Sequence, residues 1–213
     1  FMSSDWSPDF TQLLPMSWEQ KILDWLDEDM PSFDYGGFVV GSKKDSATLY
    51  IKQSGVLTGT PFVTKIFEHL GCTIEWNYNE GSLIEPTLKP YKVPVAVVKG
   101  PACRILQGER TALNLMARAS GIATKARRMT KQAKDKGWKG VIAGTRKTTP
   151  GFRMVEKYAL LVGGCDQHRY DLSSMIMLKD NHVWSSGSIT KAVQRAKLVG
   201  GFAIKIEVEC QNL

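Results

Sequence analysis

No stretch of this sequence approaches the ~18 consecutive apolar residues of a membrane-spanning helix, so no membrane association is expected. Cysteine is scarce. Cys72, Cys103, Cys165 and Cys210 are scattered without paired spacing, which gives neither a zinc motif nor a disulfide framework. Reduced, mostly buried thiols are the expectation. The opening Phe1-Met2-Ser3-Ser4-Asp5 has no basic region followed by an apolar one, so no secretory leader is expected and the location reads as cytoplasmic. Residues 1–107 hold no cluster of side chains suited to catalysis. Negative charge is also in short supply: 28 Lys and Arg stand against 21 Asp and Glu, for a net charge of +7.

That excess is concentrated. Residues 101–140 hold ten Lys or Arg and two Asp or Glu. A nucleic-acid surface has to be considered, but Trp138 is the one aromatic residue there, so a base-stacking platform is not expected. An anionic small-molecule pocket beside a solvated basic helix accounts for the charge at least as well.

The 213 residues suffice for one or two domains with a sizeable core. Trp18, Ile22, Leu23, Trp25 and Leu26 form a helical stripe within residues 3–30, ending near Pro31, and the tryptophans are expected in the core. Strands are expected at Phe38-Val39-Val40, Ala47 to Gln53, the alternating Ile74, Trp76 and Tyr78, and the alternating Val93, Val95 and Val97. A helix from Pro61 to Leu70 lies among them, with His69 at its end as a surface or capping residue. This reads as an N-terminal α+β open sandwich, residues 1–109. A long helix, Gly108 to Lys136, follows, with Leu113, Met116, Ala119, Ile122, Ala123, Ala126, Met129 and Ala133 buried. Gly121 marks a bend or a close contact within it. Arg110 falls in the first turn of that helix, where the dipole disfavours a cation unless an anion meets it.

From Lys139 the pattern changes to strand 139–143, helix 151–162, strand 175–178, helix 188–199 and strand 202–209, with Ser186 or Ser188 capping the last helix. Residues 110–213 thus read as the first part of a parallel α/β barrel, and the class as α/β. Arg146 and Lys147 follow the first strand, Lys179 the second, and Glu209 ends the third, so all four share one rim. His168 and Arg169 precede a strand and belong on that rim only if a short extra strand lies near Cys165–Arg169. Cations gathered there suit a ligand with several negative charges.

The stretch Ala143 to His182, AGTRKTTPGFRMVEKYALLVGGCDQHRYDLSSMIMLKDNH, resembles the quinolinate phosphoribosyltransferase family. GERTALNLMARASGIAT from Gly108, KIEVEC from Lys205 and EDMPSFDYGGFVVG add to the likeness, the last in the manner of the eukaryotic, fungal-type branch. The resemblance implies transfer of a phosphoribosyl group from 5-phosphoribosyl-1-pyrophosphate to quinolinate with loss of carbon dioxide, assisted by magnesium and requiring no metal ligand from this chain. It implies Arg110, Thr145, Arg146, Lys147, His168, Arg169, Lys179 and Glu209 as substrate-binding residues. Of these, Lys147, Lys179 and Glu209 would also serve catalysis, and Arg110 would reach the site of a neighbouring subunit in a homodimer or a hexamer of dimers. His182 reads as structural. A nicotinate phosphoribosyltransferase without decarboxylation and a noncatalytic binding module are the rival readings. The resemblance further implies more barrel strands than residues 139–213 supply, so a polypeptide ending at Leu213 is expected to be inactive and to expose an apolar strand edge.

Overall fold

The computed structural model describes residues 9–212. The expected helical reading of residues 3–8 lies outside them. A short 3-10 turn, Phe10–Leu13, precedes helix α1 (Trp18–Asp29). The apolar stripe of α1 buries Ile22 and Leu26 completely or nearly so. Trp18 and Trp25 pack against the same core, Trp18 edge-on to Phe62 with ring centroids 5.9 Å apart.

Phe38-Val39-Val40 is not a strand. It forms helix α2 (Tyr35–Val40). The Asp34 carboxylate accepts from the Gly37 amide at 2.8 Å and caps the turn, and Gly41 ends it at a positive φ of 75°. The cap and the terminal glycine outweigh the β propensity of two valines over so short a span.

Strand β1 (Lys44–Ile51) is followed by the two-residue β2 (Gly55–Val56) and helix α3 (Thr60–His69). After these come β3 (Thr73–Trp76), β4 (Leu83–Ile84) and β5 (Val93–Pro101). β5 is the centre of an antiparallel sheet of order β1-β5-β3, and β2 pairs with β4 in a separate ladder. The three longer strands match expectation within a few residues, while β2 and β4 are too short to leave a periodic signal. His69 is exposed at the end of α3, as expected. At the other end of that helix, Gly59 occupies the left-handed region and offers no capping side chain. Glu80 supplies the cap instead, accepting from the Gly59 and Thr60 amides at 2.7 and 3.0 Å. Burial pushes the Glu80 carboxyl up and, more strongly, the nearby Tyr158 hydroxyl.

Helix α4 (Ala102–Asp135) begins six residues before its expected start, directly from the end of β5. Arg110 is therefore exposed well inside the helix rather than in its first turn, and the dipole argument for an anion does not apply to it. Of the expected stripe, Met116, Ala119, Ala123 and Ala126 are buried, Leu113, Ile122 and Ala133 are half-buried and Met129 is exposed; Ile105, Ala112 and Leu115 join the buried face. Gly121 is exposed too, and a Cβ there would meet nothing within 4 Å. It marks no close contact within the chain. Ser120 and Thr124 lie one turn apart on α4, and their hydroxyls accept from the Thr58 and Val56 amides, satisfying donors along β2 that no strand partner reaches.

Helix α5 (Arg153–Val162) packs against α4 across glycine. A Cβ on Gly163 would sit 2.5 Å from the Ala123 carbonyl oxygen and 2.6 Å from the Ala126 Cβ. The φ of Gly163 is ordinary, at −75°, so the objection to a side chain is purely steric. Gly163→Ala is expected to lower unfolding free energy by about 1–3 kcal/mol, measured by urea denaturation. An unchanged midpoint would show that the two helices separate at no cost.

The expected strand 139–143 is reduced to one parallel bridge, Ala143 with Asp166. Gly144 donates to the Asp166 carbonyl and Asp166 to the Ile142 carbonyl, at 2.8 and 2.9 Å. Val141 is 71% exposed. Apolar strands of this kind persist when both faces are covered, and no longer ladder forms here among the described residues. The bridge does supply the pairing near Asp166 that the position of His168 requires.

Two compact units emerge: Phe1–Gly144 with Thr148–Gln167, and Thr145–Lys147 with His168–Leu213. The second contains β6 (Ile176–Leu178), α6 (Asp180–Ser186), α7 (Ile189–Gly200) and β7 (Ile206–Val208). β6 and β7 are parallel, Ile176 opposite Ile206, with Leu178, Ala192 and Ala196 buried between strands and helices. Ser188 caps α7, accepting from the Lys191 amide. α6 was not expected. Lys179 caps its start and Gly187, whose φ is 85°, caps its end.

Among the described residues the cysteines are all free, with Cys72 and Cys165 buried and Cys210 exposed. No helix among them is long and apolar enough to cross a membrane.

Candidate active site

The second unit contains every expected site residue except Arg110. Its chemistry starts from the parallel pairing of β6 and β7. Strand register places Leu178 beside Val208, so Lys179 and Glu209 leave the two strands side by side. The Glu209 amide donates to the Leu178 carbonyl at 2.9 Å. The Lys179 ammonium then lies 3.6 Å from Glu209 Oε2, each side chain a little under half exposed. That exposure leaves both groups reachable by a ligand.

One pleat deeper on β7, Glu207 stands opposite Met177. Residues two apart on a strand share a face, so Glu207 and Glu209 point the same way. His168 Nε2 lies 3.1 Å from Glu207 Oε2. Two side-chain pairs, His168–Glu207 and Lys179–Glu209, therefore lie along one face of β7. Glu207 escapes the sequence reading because it lies inside the expected strand, where alternation explains it without function.

His168 has a positive φ of 56°, one of two non-glycine residues so placed among those described. Beyond it, Arg169 is half-buried, and the loop closes on Asp171. That carboxylate accepts from the Ser173 and Ser174 amides and from both serine hydroxyls, at 2.8–3.0 Å. These hydrogen bonds, the Ser173 and Ser174 hydroxyls foremost, hold the Asp171 carboxyl below its usual range. The ordered loop brings the chain from Arg169 to the start of β6.

Thr145, Arg146 and Lys147 belong to the same unit. Thr145 Oγ1 accepts from the Lys147 amide at 3.1 Å and turns the chain there. Arg146 is half-buried and Lys147 exposed. The next residues, in the first unit, are fixed by a group that sequence reasoning missed. Glu156, only 8% exposed, accepts from the Thr149 amide and hydroxyl at 3.2 and 2.8 Å. Lys157 beside it is 1% exposed and donates to the Gln167 carbonyl. His182 has the structural role expected of it: its Nδ1 accepts from the Lys179 amide at 3.1 Å, fixing the first turn of α6. Arg110 is exposed on α4 in the first unit.

A cavity of about 680 Å³ in the second unit is lined by Asp180, Trp184 and Glu209 among others. One of about 770 Å³ in the first unit, lined by Glu28, Asp29, Asn114 and Arg118, contains none of the expected site residues. Among the described residues no three His, Cys, Asp or Glu side chains stand together as a metal-binding set.

Parallel strand ends lined by Lys, His and Glu, with arginines in the adjoining loops, define an α/β protein built to hold an anionic substrate, preceded by a sheet domain. Comparison with known proteins narrows this. The model of the quinolinate phosphoribosyl transferase C-terminal domain matches residues 122–213, and that of the N-terminal domain matches residues 34–120. The chain is 51% identical to the nicotinate-nucleotide pyrophosphorylase [carboxylating] of Dictyostelium discoideum, over 96% of this chain and 72% of that one. It is 49% identical to the protein of the same name from Rattus norvegicus, over 94% and 66%. The solved nicotinate-nucleotide pyrophosphorylase from Francisella tularensis superposes with a TM-score of 0.82 at 30% identity, covering 92% of this chain and 68% of that one. This chain belongs to the quinolinate phosphoribosyltransferase family. It spans about two thirds to seven tenths of the length of the relatives it matches.

Proposed function

We propose that the protein transfers the phosphoribosyl group of 5-phosphoribosyl-1-pyrophosphate to quinolinate, releasing pyrophosphate and carbon dioxide and forming nicotinate mononucleotide for NAD biosynthesis. The observation that supports this, beside family membership, is that His168, Arg169, Lys179, Arg146 and Lys147 fall in one compact unit, with His168 and Lys179 against Glu207 and Glu209. Quinolinate has two adjacent carboxylates. A planar guanidinium can hold a carboxylate through two parallel hydrogen bonds, and an ammonium meets it as a point charge. On this reading Arg146, His168, Arg169 and Lys179 hold the dianion, Thr145 shapes the loop that presents Arg146, and Arg110 enters from a neighbouring copy in a homodimer or a hexamer of dimers. Lys147 and Lys179 face the phosphates, and Glu209 faces the ribose hydroxyls.

The chain offers no nucleophile to the reaction and needs none. The bond from ribose C1 to pyrophosphate breaks with its electron pair leaving on the pyrophosphate, which leaves an oxocarbenium-like ribose. The pyridine nitrogen of quinolinate attacks C1. Positive nitrogen then draws electrons from the adjacent 2-carboxylate: the bond to that carboxyl carbon breaks, carbon dioxide leaves, and the ring carbon takes a proton. The side chains orient the dianion and stabilise developing charge. Bound magnesium would supply charge neutralisation of the leaving pyrophosphate, arriving with that substrate. Such an ion would keep several waters and bind through one or two carboxylates plus substrate oxygens, which suits the half-exposed Glu209 rather than a dedicated cage. A cytoplasmic location accords with this role.

The test is turnover by the full-length enzyme with each pyridine acid in turn. Quinolinate should yield carbon dioxide and nicotinate mononucleotide in equal amounts, and nicotinate should yield neither. Comparable use of nicotinate, with no carbon dioxide, would replace this function with that of a nicotinate phosphoribosyltransferase.

A further inference from the structure

We infer that Glu207 is a positioning residue for His168, holding the imidazole where it meets a substrate carboxylate; the inference rests on the function proposed above. Two independent constraints converge on that ring. The first is the backbone: a φ of 56° places His168 in the left-handed region, a conformation that a non-glycine residue keeps only where its surroundings enforce it. The second is the 3.1 Å contact from Nε2 to Glu207 Oε2. His168 is the more enclosed partner, its side chain 20% exposed against 38% for Glu207. A carboxylate facing Nε2 favours a proton on that nitrogen and fixes the orientation of the ring.

The alternative role for Glu207, a direct ligand to substrate, is served less well by its place. It lies one pleat inside β7, opposite Met177, whereas Glu209 stands beyond the strand end. The strand thus separates two carboxylates by depth. The inner one is committed to the His168 ring, and the outer, which shares a looser 3.6 Å contact with Lys179, remains available to ligand. An anionic substrate would be repelled by an uncompensated Glu207, so its partner matters in both directions: the pair presents the ring and masks the carboxylate.

The experiment is a double-mutant cycle on the full-length enzyme with Glu207→Ala, His168→Ala and the pair together, beside the conservative Glu207→Gln. Removing a hydrogen bond to a charged group predicts a rise of roughly tenfold or more in the KM for quinolinate in Glu207→Ala. The KM for 5-phosphoribosyl-1-pyrophosphate and the melting temperature should move little. Glu207→Gln, which keeps an acceptor, should recover most of the quinolinate KM. The double mutant should be no worse than His168→Ala alone, because one interaction cannot be lost twice. Additive effects, or equal rises in both KM values with a lowered melting temperature, would overturn the inference and make Glu207 a structural or direct-binding residue. Proton–nitrogen NMR of the imidazole separates failure here from failure of the proposed function. A protected Nε2 proton on His168 in the wild type and in Glu207→Gln, lost in Glu207→Ala, is expected whichever acid the enzyme uses. Its presence in Glu207→Ala would refute the contact itself.

Discussion

Arg110→Ala and Lys147→Ala variants of the full-length enzyme are each expected to lose turnover by about 10²–10³-fold, and a mixture of the two is expected to regain it. Arg110 is exposed on α4, in the first compact unit, and Lys147 belongs to the second. If Arg110 serves the site of a neighbouring copy, a hybrid dimer contains one site intact in both residues and one lacking both. With free exchange of subunits half the dimers are hybrids, so roughly a quarter of all sites recover. The measurement is steady-state turnover of the mixture after exchange has been verified with two distinguishable tags. Verified exchange without recovery would assign both residues to one subunit's site.

Arg146→Ala and Arg169→Ala form the second case, and here binding is the quantity that moves. Each arginine is half-buried in the unit that holds His168 and Lys179. Hydrogen bonds to a charged partner contribute enough that losing one arginine should weaken quinolinate binding about ten- to hundredfold. Arg→Lys at either position restores the charge but not the planar fork, so it should recover only part of the loss. Calorimetric titration of quinolinate into each variant checks both statements. Lysine variants that bind as tightly as the wild type would mean that charge alone is read and that the two carboxylates are not held by forked pairs.

The fold class and the juxtaposition of Lys179 with Glu209 are both legible in the sequence. Lys179 and Glu209 fall at the ends of expected strands, and strand-end logic brings them together; the 3.6 Å pair is its outcome, although the apolar run Phe202-Ala203-Ile204 lies ahead of β7 rather than in it. His168 looked misplaced because one residue pair, Ala143 with Asp166, is too short to leave a periodic trace. Glu207 and Glu156 were missed for a related reason: each sits inside a regular element, where periodicity assigns a place but no partner. The long helix shows the opposite limit. Its apolar stripe was legible, yet its start was set by β5 running straight into it, not by a capping residue, and Arg110 moved out of the first turn as a result. At Phe38-Val39-Val40 local propensity named a strand, but the Asp34 cap and Gly41 decided for a helix.

A structure of the full-length protein with quinolinate bound tests the central claim most directly. The account predicts the pyridine ring at the ends of β6 and β7, its two carboxylates met by Arg146, His168, Arg169 and Lys179, with Glu207 still against His168 and Glu209 outside the dianion. Quinolinate seated away from those strand ends, or touching none of the four cations, would contradict it.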